Sequence, residues 1–211
     1  QTSSKVFVVY DRVPGARLST VLSVTRDRGT PLDPNATICL IRQLLTAIAL
    51  LHEKLPTVAH GAISAERVII TPKARLVVAG HVLGSALEQL GYAPERYWKQ
   101  LRIALPQSLE VAFDQRADVM QIGVLALELL LGRSIEAHEY PEKLRDLTER
   151  AFATAPEASA KALNSELQQW LLWMLQVDPD RSFATAVDAW EELEQVLVGS
   201  DNRASFAALE S

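Results

Sequence analysis

The strongest pattern along the chain is a run of apolar residues at helical spacing that begins after Pro34. Apolar positions recur every three or four residues as far as Leu51, and the run ends near 52–54, before Pro56. Asp33 stands directly before Pro34, which is a favourable start because Asp caps free backbone N–H groups and Pro suits the first helical position. We therefore predict a long helix that is amphipathic to fully buried.

Helical periodicity returns several times in the rest of the chain. The segment after Ala117 is strongly apolar, and Gly132 follows it as a favourable helix end. Asp178-Pro179 and Gly199 supply two further endings. The predicted additional helices are Leu18–Val24, Glu95–Leu101, Ala117–Leu131, Glu139–Ala153, Leu163–Val177 and Phe183–Val198.

Strand signals are few and short. Lys5–Tyr10 is β-branched and aromatic and predicts a buried strand, with a turn at Pro14-Gly15 after it. Val68–Ile70 and Leu76–Val78 predict a small hairpin, because Thr71-Pro72-Lys73-Ala74 joins them as a tight connection. The segment 82–115 has weak periodicity and predicts a long irregular connection. The predicted fold class is mainly α.

Composition and charge narrow the function classes. The chain has 211 residues, 48% of them hydrophobic, which is enough for one sizeable core. The net charge is −5 and the basic residues are scattered, so nucleic acid is not an expected partner. No apolar stretch predicts a membrane span or a signal sequence. Because the chain begins at Gln1 without Met, we expect either a fragment of a longer protein or a processed chain.

Cysteine, histidine and tryptophan offer few candidates for chemistry. The single cysteine, Cys39, lies among apolar neighbours and is expected in the core, which agrees with a cytoplasmic location. The four histidines lack the spacing of metal ligands, so no metal site is predicted. Trp170, Trp173 and Trp190 are expected mainly in the core, with any exposed remainder available to a partner.

The order of three motifs carries the functional argument. His60–Ile70 follows the long apolar helix and precedes the hairpin, Ala117–Val124 enters a buried helix, and Asp178–Ser182 lies between two late helices. This order resembles the large lobe of the protein-kinase family, in a degenerate bacterial Ser/Thr form. The resemblance implies a remnant small-lobe strand and hinge at 1–17, a helical large lobe at 18–198 and a flexible tail at 199–211.

The resemblance also implies that the catalytic groups are missing. His60 keeps the histidine of the catalytic loop, but Gly61 replaces the arginine and Ala62 the catalytic aspartate. Arg67 occupies the position of the metal-binding asparagine, and the metal-binding aspartate falls on Val78 or its neighbour. A methyl group orients no hydroxyl, and a guanidinium repels Mg²⁺, so the resemblance predicts no catalytic residue here.

Two positions that hold the family's frame remain. Asp118 matches a buried aspartate that accepts hydrogen bonds from the catalytic-loop backbone, although a plain helix-start charge is the alternative. Arg181 matches an arginine that pairs with the glutamate of an Ala-Pro-Glu motif. Ala104-Leu105-Pro106 has the right spacing for that motif but lacks the glutamate, and Tyr92-Ala93-Pro94-Glu95 lies too early. We predict structural roles for His60, Asp118 and Arg181.

Three functions follow as hypotheses. The first is a catalytically inactive, kinase-like scaffold or allosteric regulator that binds another protein or another domain of its own polypeptide, without a cofactor. The second is a nucleotide-sensing module with a pocket near 11–15, although no residue identified here supports ATP binding. The third is an active kinase that uses displaced residues such as Glu66, Asp114 or Asp118. The partner surface is expected on 82–115 or on the late helices.

Overall fold

A computed structural model describes residues 12–29, 32–80, 83–107, 111–154, 163–178 and 180–199. In these ranges the chain is mainly helical with one small antiparallel sheet, as the sequence predicted. The predicted strand Lys5–Tyr10 and the predicted tail lie outside the described residues. The elements are β1 Ala16–Arg17, α1 Leu18–Arg28, α2 Pro34–Lys54, β2 Val68–Ile70, β3 Leu76–Val78, α3 Gly84–Glu88, α4 Pro94–Leu101, α5 Gln115–Leu131, α6 Leu144–Ala153, α7 Ser165–Met174 and α8 Ala186–Gly199.

The sheet has the order β1-β2-β3, and both pairings are antiparallel. The hairpin of β2 and β3 has the predicted bounds, with Val68 opposite Val78. β1 adds to its outer edge and runs directly into α1, so the sheet fixes the start of that helix. α1 extends past the predicted end at Val24 to Arg28, and Gly29 closes it in the left-handed conformation.

Helix α2 is the long helix predicted from the apolar run. The Asp33 carboxylate accepts hydrogen bonds from the backbone N–H groups of Asn35 and Ala36, which caps the helix start. One side of α2 packs on α5 and another on α8. Arg42 and Glu194 reinforce the second contact with a bidentate ion pair, with both N–O distances at 2.8 Å. The early helix and the last helix are therefore neighbours in the core.

Among the described residues, α2 is the one helix long and apolar enough, by length and composition alone, to cross a membrane. The sequence had predicted no membrane span, because no apolar run approaches the roughly 20 residues that a span needs. Of its most apolar window, 56% is buried inside the protein. Core helices of soluble proteins meet the same length and composition test, so this finding is weak evidence for a span.

Helix α5 forms the centre of the core, and nearly all of its side chains are buried. Asp114 caps its first turn by accepting from the Ala117 N–H at 3.0 Å, and Gly132 ends it in the left-handed conformation, as predicted. The helix contacts α2, α6, α7 and α8. Its polar side chains must therefore find partners inside the protein.

Three late helices begin or end differently from their predicted bounds. α6 begins at Leu144 rather than Glu139. α7 spans Ser165–Met174, a shorter range than predicted, and Asn164 caps its start. α8 begins at Ala186 rather than Phe183. The long segment 82–115 was predicted as irregular with one helical piece, and it contains both α3 and α4.

Candidate functional site

The Asp118 carboxylate holds the loop that follows α2. Asp118 lies in the first turn of α5 and is 0% exposed. Its Oδ2 accepts from the backbone N–H of His60 at 2.6 Å, and its Oδ1 accepts from that of Gly61 at 2.7 Å. Short hydrogen bonds to an ionised carboxylate are among the stronger ones in proteins. The helix dipole at the N-terminus of α5 further favours the negative charge.

His52, in the last turn of α2, is the third group on this carboxylate. Its Nε2 lies 3.1 Å from Asp118 Oδ2, and its Nδ1 lies 3.1 Å from the backbone N of Ala186. A backbone N–H only donates, so Nδ1 must be the acceptor and Nε2 must carry the proton. His52 is therefore neutral in this arrangement, and it links the end of α2, the start of α5 and the start of α8.

Gln121 extends the same network by one helical turn. Its Oε1 accepts from the backbone N–H of Ile63 at 2.7 Å. Its Nε2 donates to the carbonyl oxygens of Gly61 at 3.4 Å and Ala104 at 3.2 Å. Asp118 and Gln121 are three residues apart, so they share one face of α5. We call the group of His52, His60, Gly61, Asp118 and Gln121 the buried polar joint.

His60 belongs to the joint mainly through its backbone. Its ring is buried, and Nε2 finds no hydrogen-bond partner among the described residues. Burial lowers the pKa of His60, the nearby Asp118 charge opposes that shift, and Arg67 adds to it. The ring is therefore held in the neutral form near neutral pH, which suits a packed residue.

Ala62, the position matched to the catalytic aspartate, is also 0% exposed. Its methyl group belongs to a second apolar cluster that is separate from the main core. The Tyr97 and Phe113 rings lie in this cluster with centroids 5.1 Å apart in an edge-to-face arrangement. The cluster consists of Ala62, Tyr97, Ile103, Leu105, Phe113 and Ala117, with Leu83, Leu87, Tyr92, Leu101 and Val111 packed around it.

The backbone beside Ala62 is covered by the start of α3. The Leu83 N–H donates to the carbonyl of His60 at 2.9 Å. Gly61 has a φ of +74°, and a Cβ there would clash with the Cα of Gly84 and lie 2.7 Å from its backbone N. Only glycine fits both the backbone conformation and this close approach. The loop at 60–62 is thus closed over rather than open to solvent.

The other two degenerate positions lie apart from the joint. Arg67 is partly exposed, and its Nη1 donates to Ser64 Oγ at 3.1 Å within the same loop. Val78 ends β3 and pairs with Val68. Of the displaced candidates, Glu66 is exposed with its Oε2 3.6 Å from Arg17, and Asp114 is the α5 cap.

Arg181 does not join these residues. It is exposed, and its side chain forms no hydrogen bond or ion pair with any other part of the chain that the structure describes. The predicted structural pairing of Arg181 is therefore absent among those residues. Tyr92-Ala93-Pro94-Glu95 instead starts α4, with Pro94 at its first position. The structure thus brings together His60 and Asp118 but not Arg181.

The sequence prediction missed His52, Gln121 and Glu128. Glu128 is a buried carboxyl near the end of α5, 5% exposed, and its Oε1 accepts from the Ile135 N–H at 3.0 Å. Burial raises the pKa of Glu128 to about 7, although that hydrogen bond and the charges of Arg102 and Arg133 act in the opposite direction. For Gln121 and Glu128 the available signal was a pair of polar residues on the otherwise apolar helix α5.

A bidentate ion pair closes the loop after α5. Arg133 Nη1 and Nη2 donate to the two carboxylate oxygens of Glu139 at 2.7 and 2.8 Å. The hydrogen bonds from Arg133 lower the pKa of Glu139 to about 2. The Glu136 backbone N–H also donates to this carboxylate, at 2.9 Å. The Glu139 carboxylate thus closes the loop 133–139.

No protein-family model matches the chain. Within the described residues, no three His, Cys, Asp or Glu side chains gather in a way that could hold a metal ion. The functional interpretation therefore depends on the buried polar joint and on the apolar cluster around Ala62.

Proposed function

We propose that this chain is a kinase-like interaction module whose central loop is a structural element and not a catalytic one. In this proposal it corresponds to the large lobe of a pseudokinase and regulates or scaffolds another protein or another domain of its own polypeptide. The observation that carries the proposal is the contrast between Asp118 and Ala62. Asp118 keeps its full set of backbone donors, whereas Ala62 presents a buried methyl group where chemistry would need a carboxylate.

The apolar cluster around Ala62 supports this role. A phosphate acceptor would have to approach the residue at this position closely, because a catalytic base must lie within hydrogen-bond reach of its proton. Phe113 and Tyr97 occupy the surroundings of Ala62, and Gly84 packs on the neighbouring Gly61. A substrate hydroxyl would meet apolar side chains here. The arrangement favours a loop that stabilises the lobe.

The buried polar joint supports the other half of the proposal. It connects the end of α2, the loop 60–63 and the starts of α5 and α8 through side chains with almost no exposure. Apart from His60 Nε2, the hydrogen bonds of this network pair its polar groups, and they favour one arrangement of the elements because another would leave those groups unpaired. A rigid helical frame of this type suits a surface that must present a constant shape to a partner.

Phosphate transfer is the direct test of the proposal. The purified chain is incubated with radiolabelled ATP, Mg²⁺ or Mn²⁺, and a general protein substrate, and incorporation is measured beside Glu66→Gln and Asp114→Asn. We expect incorporation at the level of the protein-free control for all three proteins. Incorporation well above that level by the unmodified chain, abolished by either substitution, would show an enzyme that uses displaced residues and would refute the proposal.

A further inference from the structure

Three carboxyl groups are buried in the part of the chain that the structure describes, and Glu128 has the fewest hydrogen-bond donors among them. Its Oε1 accepts from the Ile135 N–H at 3.0 Å, and no second donor to the carboxyl group occurs among the described residues. Asp118 and Glu139 each accept from three donors. An ionised carboxylate can accept about four hydrogen bonds. Glu128, with one donor and 5% exposure, therefore suits the neutral, protonated form.

Arg102 binds the other backbone group of Ile135. Its Nη1 donates to the Ile135 carbonyl oxygen at 3.0 Å, and its guanidinium carbon lies 4.9 Å from the centroid of the Trp98 ring. Arg102 ends α4 in the left-handed conformation, with a φ of +56°, which is unfavourable for a residue that has a Cβ. The backbone of Ile135 thus links an acid on α5 to a base at a strained position after α4.

A cavity of about 90 Å³ lies beside this link, and it is lined in part by Glu128, Arg102, Trp98, Ser134 and Glu66. Its volume is about that of three water molecules in the liquid. A small opening of its wall is therefore enough to hydrate the carboxyl group.

The segment 102–105 forms one wall of this cavity. Side chains hold the segment, since Gln121 Nε2 donates to the Ala104 carbonyl at 3.2 Å and the Tyr140 hydroxyl bonds to both the N–H and the C=O of Leu105. These are single contacts to a stretch of chain that lies outside the helices. The segment can therefore separate from its neighbours without the unwinding of a helix.

The charges around Glu128 come from three directions. Arg102 lies after α4, Arg133 after α5 and Glu66 before β2. Burial raises the pKa of Glu128 to about 7, Glu66 adds to this rise, and the Ile135 hydrogen bond and the two guanidinium groups oppose it. An opening that hydrates the carboxyl group returns its pKa toward the ordinary value of 4.5. Loss of the proton therefore favours the open arrangement, increasingly so as pH rises from 4.5 to 7.

We propose that Glu128 and Arg102 form a pH-sensitive switch that holds or releases the segment 102–105. With Glu128 protonated, both contacts to Ile135 are kept and the cavity stays closed. When Glu128 loses its proton, the cavity opens to water and the segment separates from Ile135. The segment belongs to 82–115, where a partner surface is expected, so the shape of that surface changes with pH. The switch needs no partner, and it can fail while the proposed non-catalytic role stands.

Amide hydrogen exchange, followed by NMR between pH 5 and pH 8, tests the switch on the unmodified chain. After correction for the intrinsic effect of pH on exchange, the protection of the Ile135 and Leu105 amides should fall on the order of fifty-fold, because the pKa of Glu128 is about 7 closed and 4.5 open. Exchange of both amides at pH 8 should be unchanged in about 0.5 M urea, since release of a short segment exposes little surface. In Glu128→Gln, the fall should be less than three-fold.

Two further variants exclude other sources of the change. His138→Gln removes the histidine of the loop 133–139, a residue type that titrates between about pH 5 and 8, and should keep the fall. Arg102→Gln loses the hydrogen bond to the Ile135 carbonyl, so both amides should be less protected at pH 5 than in the unmodified chain.

Four results would overturn the proposal. They are an equal fall in Glu128→Gln, loss of the fall in His138→Gln, unchanged protection at pH 5 in Arg102→Gln, and acceleration by urea as steep as that of the Gly61 amide. The last result would show that the amides exchange through unfolding of the whole chain.

Discussion

Replacement of Asp118 by Asn should destabilise the fold strongly, although the two side chains have nearly the same size and shape. The amide keeps the shape of the carboxylate but replaces one acceptor oxygen with a donor NH₂ group. Asp118 now accepts from His60 N, Gly61 N and His52 Nε2, and all three are donors. The least costly orientation keeps oxygen toward His60 and His52 and turns NH₂ toward the Gly61 N–H. That orientation loses one charge-assisted bond and buries two facing donors.

The magnitude follows from these two losses. A hydrogen bond to a charged group contributes about 1.5–3 kcal/mol, and an unsatisfied buried donor costs about 1–3 kcal/mol. The site is 0% exposed, so water gives no compensation. Asp118→Asn should therefore lower the free energy of unfolding by about 2.5–6 kcal/mol. This is a large share of the roughly 5–15 kcal/mol that stabilises a typical domain.

Urea unfolding, followed by far-UV circular dichroism and by tryptophan fluorescence, measures this loss. Asp146→Asn is the matched control, because Asp146 also lies in the first turn of a helix but is exposed. It should cost less than about 1 kcal/mol, which is the usual size of a helix-dipole interaction. A similar small cost for both substitutions would refute the claim that Asp118 holds the loop through its hydrogen bonds.

Three further predictions concern glycine and buried charge. Gly61→Ala should lower the free energy of unfolding by more than about 2 kcal/mol, as measured by urea unfolding. Gly91 has a φ of +57° but open space around it, so Gly91→Ala should lower it by only about 1–2 kcal/mol through backbone strain. The pKa of Glu128 is raised to about 7, so protonated Glu128 stabilises the folded state. This contribution to the free energy of unfolding, up to about 3 kcal/mol, is fully present below pH 4.5 and is lost as pH rises from 4.5 to 7. Glu128→Gln should remove that decline, which urea midpoints at pH 5 and pH 8 will show. The lowered pKa of Glu139 acts in the opposite direction, because its contribution to the free energy of unfolding is present above pH 4.5 and lost as pH falls toward about 2. The urea midpoint of Glu139→Gln should therefore depend less on pH over this range than the urea midpoint of the unmodified chain.

The elements that could be predicted carry their own local signals. α2 has a capping Asp33 and an unbroken apolar periodicity, and its bounds agree with the prediction. α5 ends at Gly132 and the hairpin of β2 and β3 has its predicted bounds, because a left-handed glycine and a short polar connection act over a few residues. Such signals do not depend on the rest of the fold.

The start of α6 shows where local signals fail. Helical periodicity continues back to Glu139, but the Glu139 carboxylate is bound by Arg133, six residues earlier. This ion pair closes the loop 133–139, and the pattern of apolar residues contains no record of it. The predicted helix was therefore too long by its first turn and more.

The candidate site was predictable only in part. Asp118 was identified because it begins an otherwise apolar helix at a position that matches a buried aspartate in the resemblance to the protein-kinase family, and the motif order indicated the loop at His60. His52 was not identified, because its two partners, Asp118 and the Ala186 backbone, are 66 and 134 residues away along the chain. Gln121 gave a weaker signal, since a lone glutamine in a helix is more often at the surface.

The pairing of the early helix with the last one has a consequence for synthesis. α2 is a 21-residue apolar helix whose partner α8 ends about 145 residues later. At about 5–20 residues per second, the ribosome needs roughly 7–30 seconds to complete that distance. Throughout this interval, the face of α2 that later packs on α8 is not covered by α8, and Arg42 lacks its partner Glu194. Nascent protein should therefore be most dependent on chaperones just before α8 emerges, and premature termination before residue 186 should yield an aggregation-prone product.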